Sequence, residues 1–312
     1  MPSFDPTYGY TLEKLLCVQP PPEPDGFADF WRSRYQNAIA IDSQPQLSNR
    51  RDHSPQFDCY DFYYHSTGNF KIGGWALVPK QGNITRGVIV GHGYGGREAP
   101  DSHLPISNAV FLFPCFRGIS RSKRSPVSDD PRYHVIHDIN NRDRYILGGC
   151  VEDLWLAVSA MQRLFPVVTG HIGLLGISFS GGIGALALPW DKRIQRAHFN
   201  VPSFGNHPIR LQLPTWGSAA ALQEYQQQHG NILATLSYYD AAIAAKNIHV
   251  PVHVAAALAD PVVAPPGQFS IYNALPAQKR LFVLEQGHAE YPNKANQEKM
   301  LLTELKEFFN DL

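Results

Sequence analysis

Six short apolar runs constrain this chain more than any other feature: residues 87–90, 109–116, 171–175, 196–201, 250–258 and 281–284. A strand with one wet face alternates apolar and polar residues. A run that is apolar at nearly every position has to be buried on both faces, and that is the signature of a parallel sheet covered by helices. Between most of these runs the period changes to that of a helix, most clearly where Val151, Leu154, Trp155, Val158 and Met161 share one face. A final helix is expected over about 296–309. Strand followed by helix, repeated, predicts an α/β class with a mostly parallel central sheet and helices on both faces.

The N-terminal part reads differently. Residues 57–79 are β-rich, with Ser66-Thr67-Gly68-Asn69 separating two runs, so antiparallel strands are expected there. Upstream, Pro20, Pro21, Pro22 and Pro24 form a stiff lead-in to a docking helix at about 25–37. Asp25 is its expected cap, and Phe27, Phe30, Trp31 and Tyr35 form its apolar face. Two segments fall outside the alternation. Residues 121–144 are polar and Pro-bearing, an excursion from the sheet; residues 208–245 are expected as a helical insertion over the strand ends.

Composition narrows the class of function. The 312 residues are 44% hydrophobic and 17% charged, enough to bury a large core, and we expect one domain over 1–312. Lys plus Arg and Asp plus Glu are both 27, so no net field gathers phosphates and a nucleic-acid partner is not expected. No apolar run reaches the ~18 residues of a membrane span, so no membrane partner is expected either. Met1-Pro2-Ser3-Phe4-Asp5 has neither a basic start nor an apolar core, and the expected location is the cytoplasm. Cys17, Cys59, Cys115 and Cys150 are too scattered for zinc or redox motifs and are expected as reduced packing residues. No metal or cofactor is expected.

In an open parallel sheet, reactive groups sit at the carboxyl ends of strands. After the run at 171–175 comes Gly176-Ile177-Ser178-Phe179-Ser180-Gly181-Gly182 and then a helical stretch. A nucleophile elbow needs small residues two positions either side of its serine, because the sharp turn crowds its own backbone. Gly176 meets this for Ser178, with Ser180 in place of the second glycine; Ser180, with Gly182 two positions on, is the rival nucleophile. A serine hydroxyl needs a base and an acid to orient that base. Asp260 follows the run at 250–258, and His288 follows the last strand as Glu285-Gln286-Gly287-His288. Chain order Ser, Asp, His is that of the α/β-hydrolase fold. Asp191 and Asp240 are alternative acids.

The run at 87–90 leads into Gly91-His92-Gly93-Tyr94-Gly95-Gly96, from which the Tyr94 N–H, together with that of Phe179, is expected to form an oxyanion hole. His92 is expected in a structural role, and His103, His134 and His137 as solvated loop residues. Gly91, Gly93 and Gly96 also satisfy the G-x-G-x-x-G spacing of dinucleotide-binding proteins, with Arg117 as a candidate 2′-phosphate partner of NADP. Pro100 and Pro105 oppose that alternative by interrupting the helix it requires.

These residues resemble those of the acetyl xylan esterase and cephalosporin C deacetylase group, carbohydrate esterase family seven. The likeness runs through Phe27-Ala28-Asp29-Phe30-Trp31, Gly74-Trp75-Ala76-Leu77-Val78-Pro79, Gly93-Tyr94-Gly95-Gly96 and Arg117-Gly118. It is most specific in Leu236-Ser237-Tyr238-Tyr239-Asp240, Asp260-Pro261-Val262-Val263-Ala264-Pro265-Pro266, Phe269 and Tyr272-Asn273. The resemblance implies Ser178 as nucleophile, Asp260 as acid, His288 as base, and oxyanion amides from Tyr94 and Phe179. It further implies removal of acetyl groups from small sugar esters without a cofactor, and a homo-oligomer, a hexamer enclosing its active sites. Ile119-Ser120 and Ser180 depart from the family's usual Gln-Gly and Gly, and residues 121–144 are unlike its corresponding stretch. A non-catalytic binding protein on the same fold and a serine peptidase are the remaining alternatives.

Overall fold

The computed structural model describes residues 3–276 and 278–312. Its strands are β1 (Gln46–Asp52), β2 (Phe57–His65), β3 (Lys71–Pro79), β4 (Arg86–Val90), β5 (Ala109–Pro114), β6 (Ile172–Ile177), β7 (Ile194–Asn200), β8 (Val252–Ala259) and β9 (Lys279–Gln286). They form one sheet in the order β1-β2-β3-β5-β4-β6-β7-β8-β9. The pairs β1–β2, β2–β3 and β3–β5 are antiparallel, and every pair from β5 to β9 is parallel.

The unbroken runs follow from two-sided burial. Ile89, Leu112 and Leu174 pack with Leu154 and Trp155 of the helix Ile146–Leu164 and with Ile183 of the helix Phe179–Ala187. Their strand neighbours Val88, Phe111 and Leu175 point the other way, onto Leu301, Leu305 and Phe308 of the helix Lys294–Phe308. At ~25 cal/mol per Å² of apolar area removed from water, each such side chain contributes about 1.5–3 kcal/mol, which is why both faces are closed.

The expected hairpin is present, with a 3₁₀ turn at Thr67–Asn69 between β2 and β3. The docking helix runs Phe27–Ile39, and its cap differs from expectation. Gly26, with φ +73°, is the N-cap, and Asp25 lies outside, accepting the Tyr238 hydroxyl at its carbonyl (2.6 Å). Phe27 and Trp31 are buried as expected, and the Trp31 indole N–H donates to the Tyr238 carbonyl (2.8 Å). The insertion is helical over His207–Arg210, Ala219–His229, Leu233–Leu236 and Ala241–Ala245. The 121–144 excursion begins on a 3₁₀ turn at Ser120–Ser122 and holds one α-helix, the four-residue Pro131–His134. Cys59, Cys115 and Cys150 are buried free thiols, whereas Cys17 is exposed at the end of the helix Leu12–Leu16 and is not a core residue.

Candidate active site

Ser178 stands between the end of β6 and the helix Phe179–Ala187, with φ 51° and ψ −108°. A non-glycine residue at positive φ is strained by about 1–3 kcal/mol and persists only where its surroundings hold it. Here the Ser178 N–H donates to the Asn200 carbonyl (2.8 Å), and its own carbonyl accepts from Ser203 (2.9 Å) and Gly182 (3.1 Å). The small neighbours are steric requirements. A Cβ on Gly176 would lie 2.6 Å from the Ser180 carbonyl oxygen, and one on Gly182 would lie 2.2 Å from that of Ser203. The serine at 180 fits because residue 91 is glycine: a Cβ there would meet the Ser180 Cβ at 2.3 Å.

The rival serine is occupied elsewhere. Ser180 lies within the helix, is buried, and its hydroxyl closes the turn by accepting from the Ile177 N–H (2.9 Å) and donating to the Ile177 carbonyl (3.1 Å). Ser178 Oγ instead lies 2.9 Å from Nε2 of His288, and His288 Nδ1 lies 2.7 Å from Oδ2 of Asp260. Three residues from the ends of β6, β8 and β9, 110 positions apart at the widest, meet in one hydrogen-bonded line.

The network fixes the tautomer. A carboxylate only accepts, so His288 carries its proton on Nδ1, leaving the Nε2 lone pair facing the serine hydroxyl. Asp260 is fully buried. Its Oδ1 accepts the N–H groups of Val262 (2.8 Å) and Val263 (2.9 Å), and its Oδ2 accepts from the Gln268 side chain (2.9 Å) as well as from the histidine. Gln268 is held in turn, donating to the Val263 carbonyl (2.6 Å) and accepting from Ala257 N–H (2.9 Å). Nothing in the sequence pattern marks this glutamine, which sits eight residues past the acid on the helix Pro265–Ala274. Gly287 is glycine because a Cβ there would lie 2.3 Å from Asp260 Oδ2.

The alternative acids have other partners. Asp240 caps the helix Ala241–Ala245 and accepts the backbone N–H groups of Asn206 and His207; burial pushes its carboxyl up to about 6. Asp191 forms a two-pronged pair with Arg193.

Phe179 is the first residue of its helix, so its N–H has no intrahelical acceptor. Tyr94 lies in the turn after β4, braced from beneath. Arg97 donates to the Gly91 carbonyl (2.9 Å), and the Arg97 N–H donates to Ser120 Oγ (3.0 Å). His92 is structural: its Nε2 accepts the Phe116 N–H (3.0 Å), its Nδ1 donates to the Gly93 carbonyl (2.7 Å), and burial pushes it down to about 3. His103 is exposed and His137 half-buried, but His134 is fully buried, contrary to expectation. It donates from Nε2 to the Arg117 carbonyl (2.9 Å) and accepts the Tyr94 hydroxyl at Nδ1 (3.0 Å), tying the polar excursion to the loop beside Ser178. Burial lowers it to about 4, which keeps it neutral in that role.

Arg117, whose carbonyl holds His134, is itself anchored in the interior. Its guanidinium grips Asp153 with two bonds (3.0 and 2.6 Å) and donates to Thr67 (2.8 Å), all of them buried or half-buried. It is therefore committed inside the protein, and no α-helix follows Gly96 before Pro131, so neither element of a dinucleotide site is present among the described residues. Arg117→Met would leave Asp153 buried without its cation. The expected loss of unfolding free energy is about 3–5 kcal/mol, read from the urea midpoint.

The sheet order, the strained serine after β6 and the Ser-Asp-His line define an α/β hydrolase. Two solved acetyl xylan esterases share the fold over nearly their whole length. Acetyl xylan esterase 1 from Thermoanaerobacterium sp. JW/SL YS485 is 19% identical with a TM-score of 0.83, covering 97% of this chain and 99% of its own. The enzyme from Paenibacillus sp. R4 is 20% identical with a TM-score of 0.82, covering 95% and 99%. An acylaminoacyl peptidase from Pyrococcus horikoshii is similar more distantly, at 16% identity and a TM-score of 0.62, over 82% of this chain and 42% of its own. The acetyl xylan esterase family model matches residues 9–306, so the chain belongs to that family and is an esterase of the α/β-hydrolase type. Among the described residues no helix is long and apolar enough to cross a membrane.

Proposed function

We propose that the protein is a serine carboxylesterase that removes acetyl groups from sugars or related small molecules through an acyl-enzyme. One observation carries this reading: Ser178 Oγ, both ring nitrogens of His288 and Asp260 Oδ2 stand in line at 2.9 and 2.7 Å.

The steps follow from that line. As Ser178 Oγ attacks the ester carbonyl, its proton passes to His288 Nε2, and the imidazolium is stabilised by the Asp260 carboxylate, which stays ionised. The carbonyl oxygen gains charge and is met by the N–H groups of Phe179 and Tyr94, each worth about 2.7–4 kcal/mol of barrier. His288 then gives its proton to the departing alcohol. A water that loses its proton to the same nitrogen attacks the acetyl-serine, and the carboxylic acid leaves as the serine is restored.

Acetyl preference rests on family membership. Hydrolysis of p-nitrophenyl acetate, butyrate and octanoate, alongside acetylated xylose and an acetyl anilide, tests it. We expect kcat/KM for acetate to exceed that for octanoate about tenfold or more, since each methylene an apolar pocket must admit or reject is worth ~1–3 kcal/mol. Acetate should be released from the sugar, and the anilide should be spared. Faster cleavage of the octanoate would refute acetyl preference, and no turnover of any ester would refute the enzyme.

A further inference from the structure

Asp260 is the first residue beyond β8, and the ladder no longer reaches it. The last main-chain bond between β8 and its neighbour runs from the Gly287 N–H to the Ala259 carbonyl (2.8 Å). A peptide unit leaving a sheet exposes an N–H and a C=O that need partners. At Asp260 both come from the other end of the chain. Its N–H donates to the Pro6 carbonyl (3.0 Å), and its carbonyl accepts the Tyr8 hydroxyl (3.3 Å).

The segment is built to hold this position. Asp5 accepts the Thr7 N–H (2.9 Å) and hydroxyl (2.6 Å), and its carbonyl accepts the Tyr8 N–H (3.1 Å), which closes a tight turn. Tyr8 sits at φ 53°, the left-handed region that costs a non-glycine residue energy. The hydroxyl's one proton is shared, with the shorter arm to the Pro214 carbonyl (2.9 Å) and the longer to that of Asp260. Phe4 packs on the Tyr8 ring at 5.5 Å and edge-on to the exposed Trp216 at 6.3 Å, while the Trp216 N–H donates to the Pro261 carbonyl (2.8 Å). Residues 4–8 therefore touch both the acid's own backbone and the rim of the insertion beside it.

We infer that residues 4–8 form a strap that positions Asp260 for catalysis, with Tyr8 as its positioning residue. The strap acts through the acid, so the inference rests on the serine-esterase reading above. Asp260 must hold His288 within a few tenths of an ångström for Nε2 to face Ser178, and its backbone is the lever arm of that contact.

The test is Tyr8→Phe, which keeps the ring and removes the hydroxyl, assayed on p-nitrophenyl acetate. The amount of working enzyme is counted by fluorophosphonate titration, so that misfolded protein does not enter kcat. Losing one such hydrogen bond should lower kcat per titrated site about 3- to 10-fold with KM held within about twofold. Removing residues 1–8 should lower it further. Tyr10→Phe should match the wild type. Wild-type kcat per site in Tyr8→Phe, a rise in KM alone, or an activity loss accounted for entirely by a smaller titratable fraction would each overturn the inference. Failure of the wild type to cleave the ester would bring down the underlying reading and this one with it, a result distinguishable from the others.

Discussion

Ser178→Ala should reduce kcat for p-nitrophenyl acetate by about 10⁴- to 10⁶-fold, because nucleophile and base act as a unit and the loss of one disables the other. What remains is the catalysis that binding and the oxyanion amides supply. The folded state should be intact. Alanine removes only the hydroxyl from a residue held by its backbone, whose N–H and carbonyl bonds to Asn200, Ser203 and Gly182 persist. Ser180→Ala is the companion measurement and should behave oppositely. Its hydroxyl braces Ile177 and faces no histidine, so activity should stay within about tenfold while stability falls by ~1 kcal/mol for the lost bonds. Activity that survives the loss of Ser178 and vanishes with Ser180 would reverse the assignment.

Asp260→Asn should cost about 10⁴-fold in kcat. The amide keeps the shape of the carboxylate but offers one acceptor and one donor. Two N–H groups already claim Oδ1, from Val262 and Val263, so the amide nitrogen falls to the side that faces Gln268 and His288. An N–H facing the imidazole forces Nδ1 to accept, which moves the ring proton to Nε2 and aims it at Ser178. The base is then blocked in its wrong tautomer. KM should change little, because residue 260 is fully buried. A loss of less than tenfold would mean that Asp260 orients nothing and only fills space.

The parallel core was legible because two-sided burial leaves no polar residue in a strand, as in the runs around Ile89, Leu112 and Leu174. The strand β1 was not. Its residues Gln46–Asp52 lie at the sheet edge, nearly all exposed, so no alternation marks them. The helix cap was misplaced by one residue, because a left-handed glycine can start a helix without a capping side chain, and Asp25 beside it has the commoner chemistry.

The three residues proposed to react could be singled out because Ser178 and Asp260 directly follow their strands, His288 stands two residues past its own, and their chain order is a fold-level rule. The groups that hold them could not. Gln268 meets Asp260 through a helix turn, His134 reaches Tyr94 from within a polar stretch, and the Pro6 carbonyl meets Asp260 across more than 250 residues. Such partners are set by tertiary geometry, which leaves no local period or motif. His134 shows the cost of judging burial from neighbours alone: the surrounding residues are polar, yet its ring is enclosed.

The most direct measurement is peptide mapping by mass spectrometry after brief exposure to a fluorophosphonate. Only a serine whose proton is being drawn off by a neighbouring base reacts. A single adduct on Ser178, absent when His288 is replaced by alanine, is the result expected. An unlabelled protein, or an adduct on Ser180, would contradict the account.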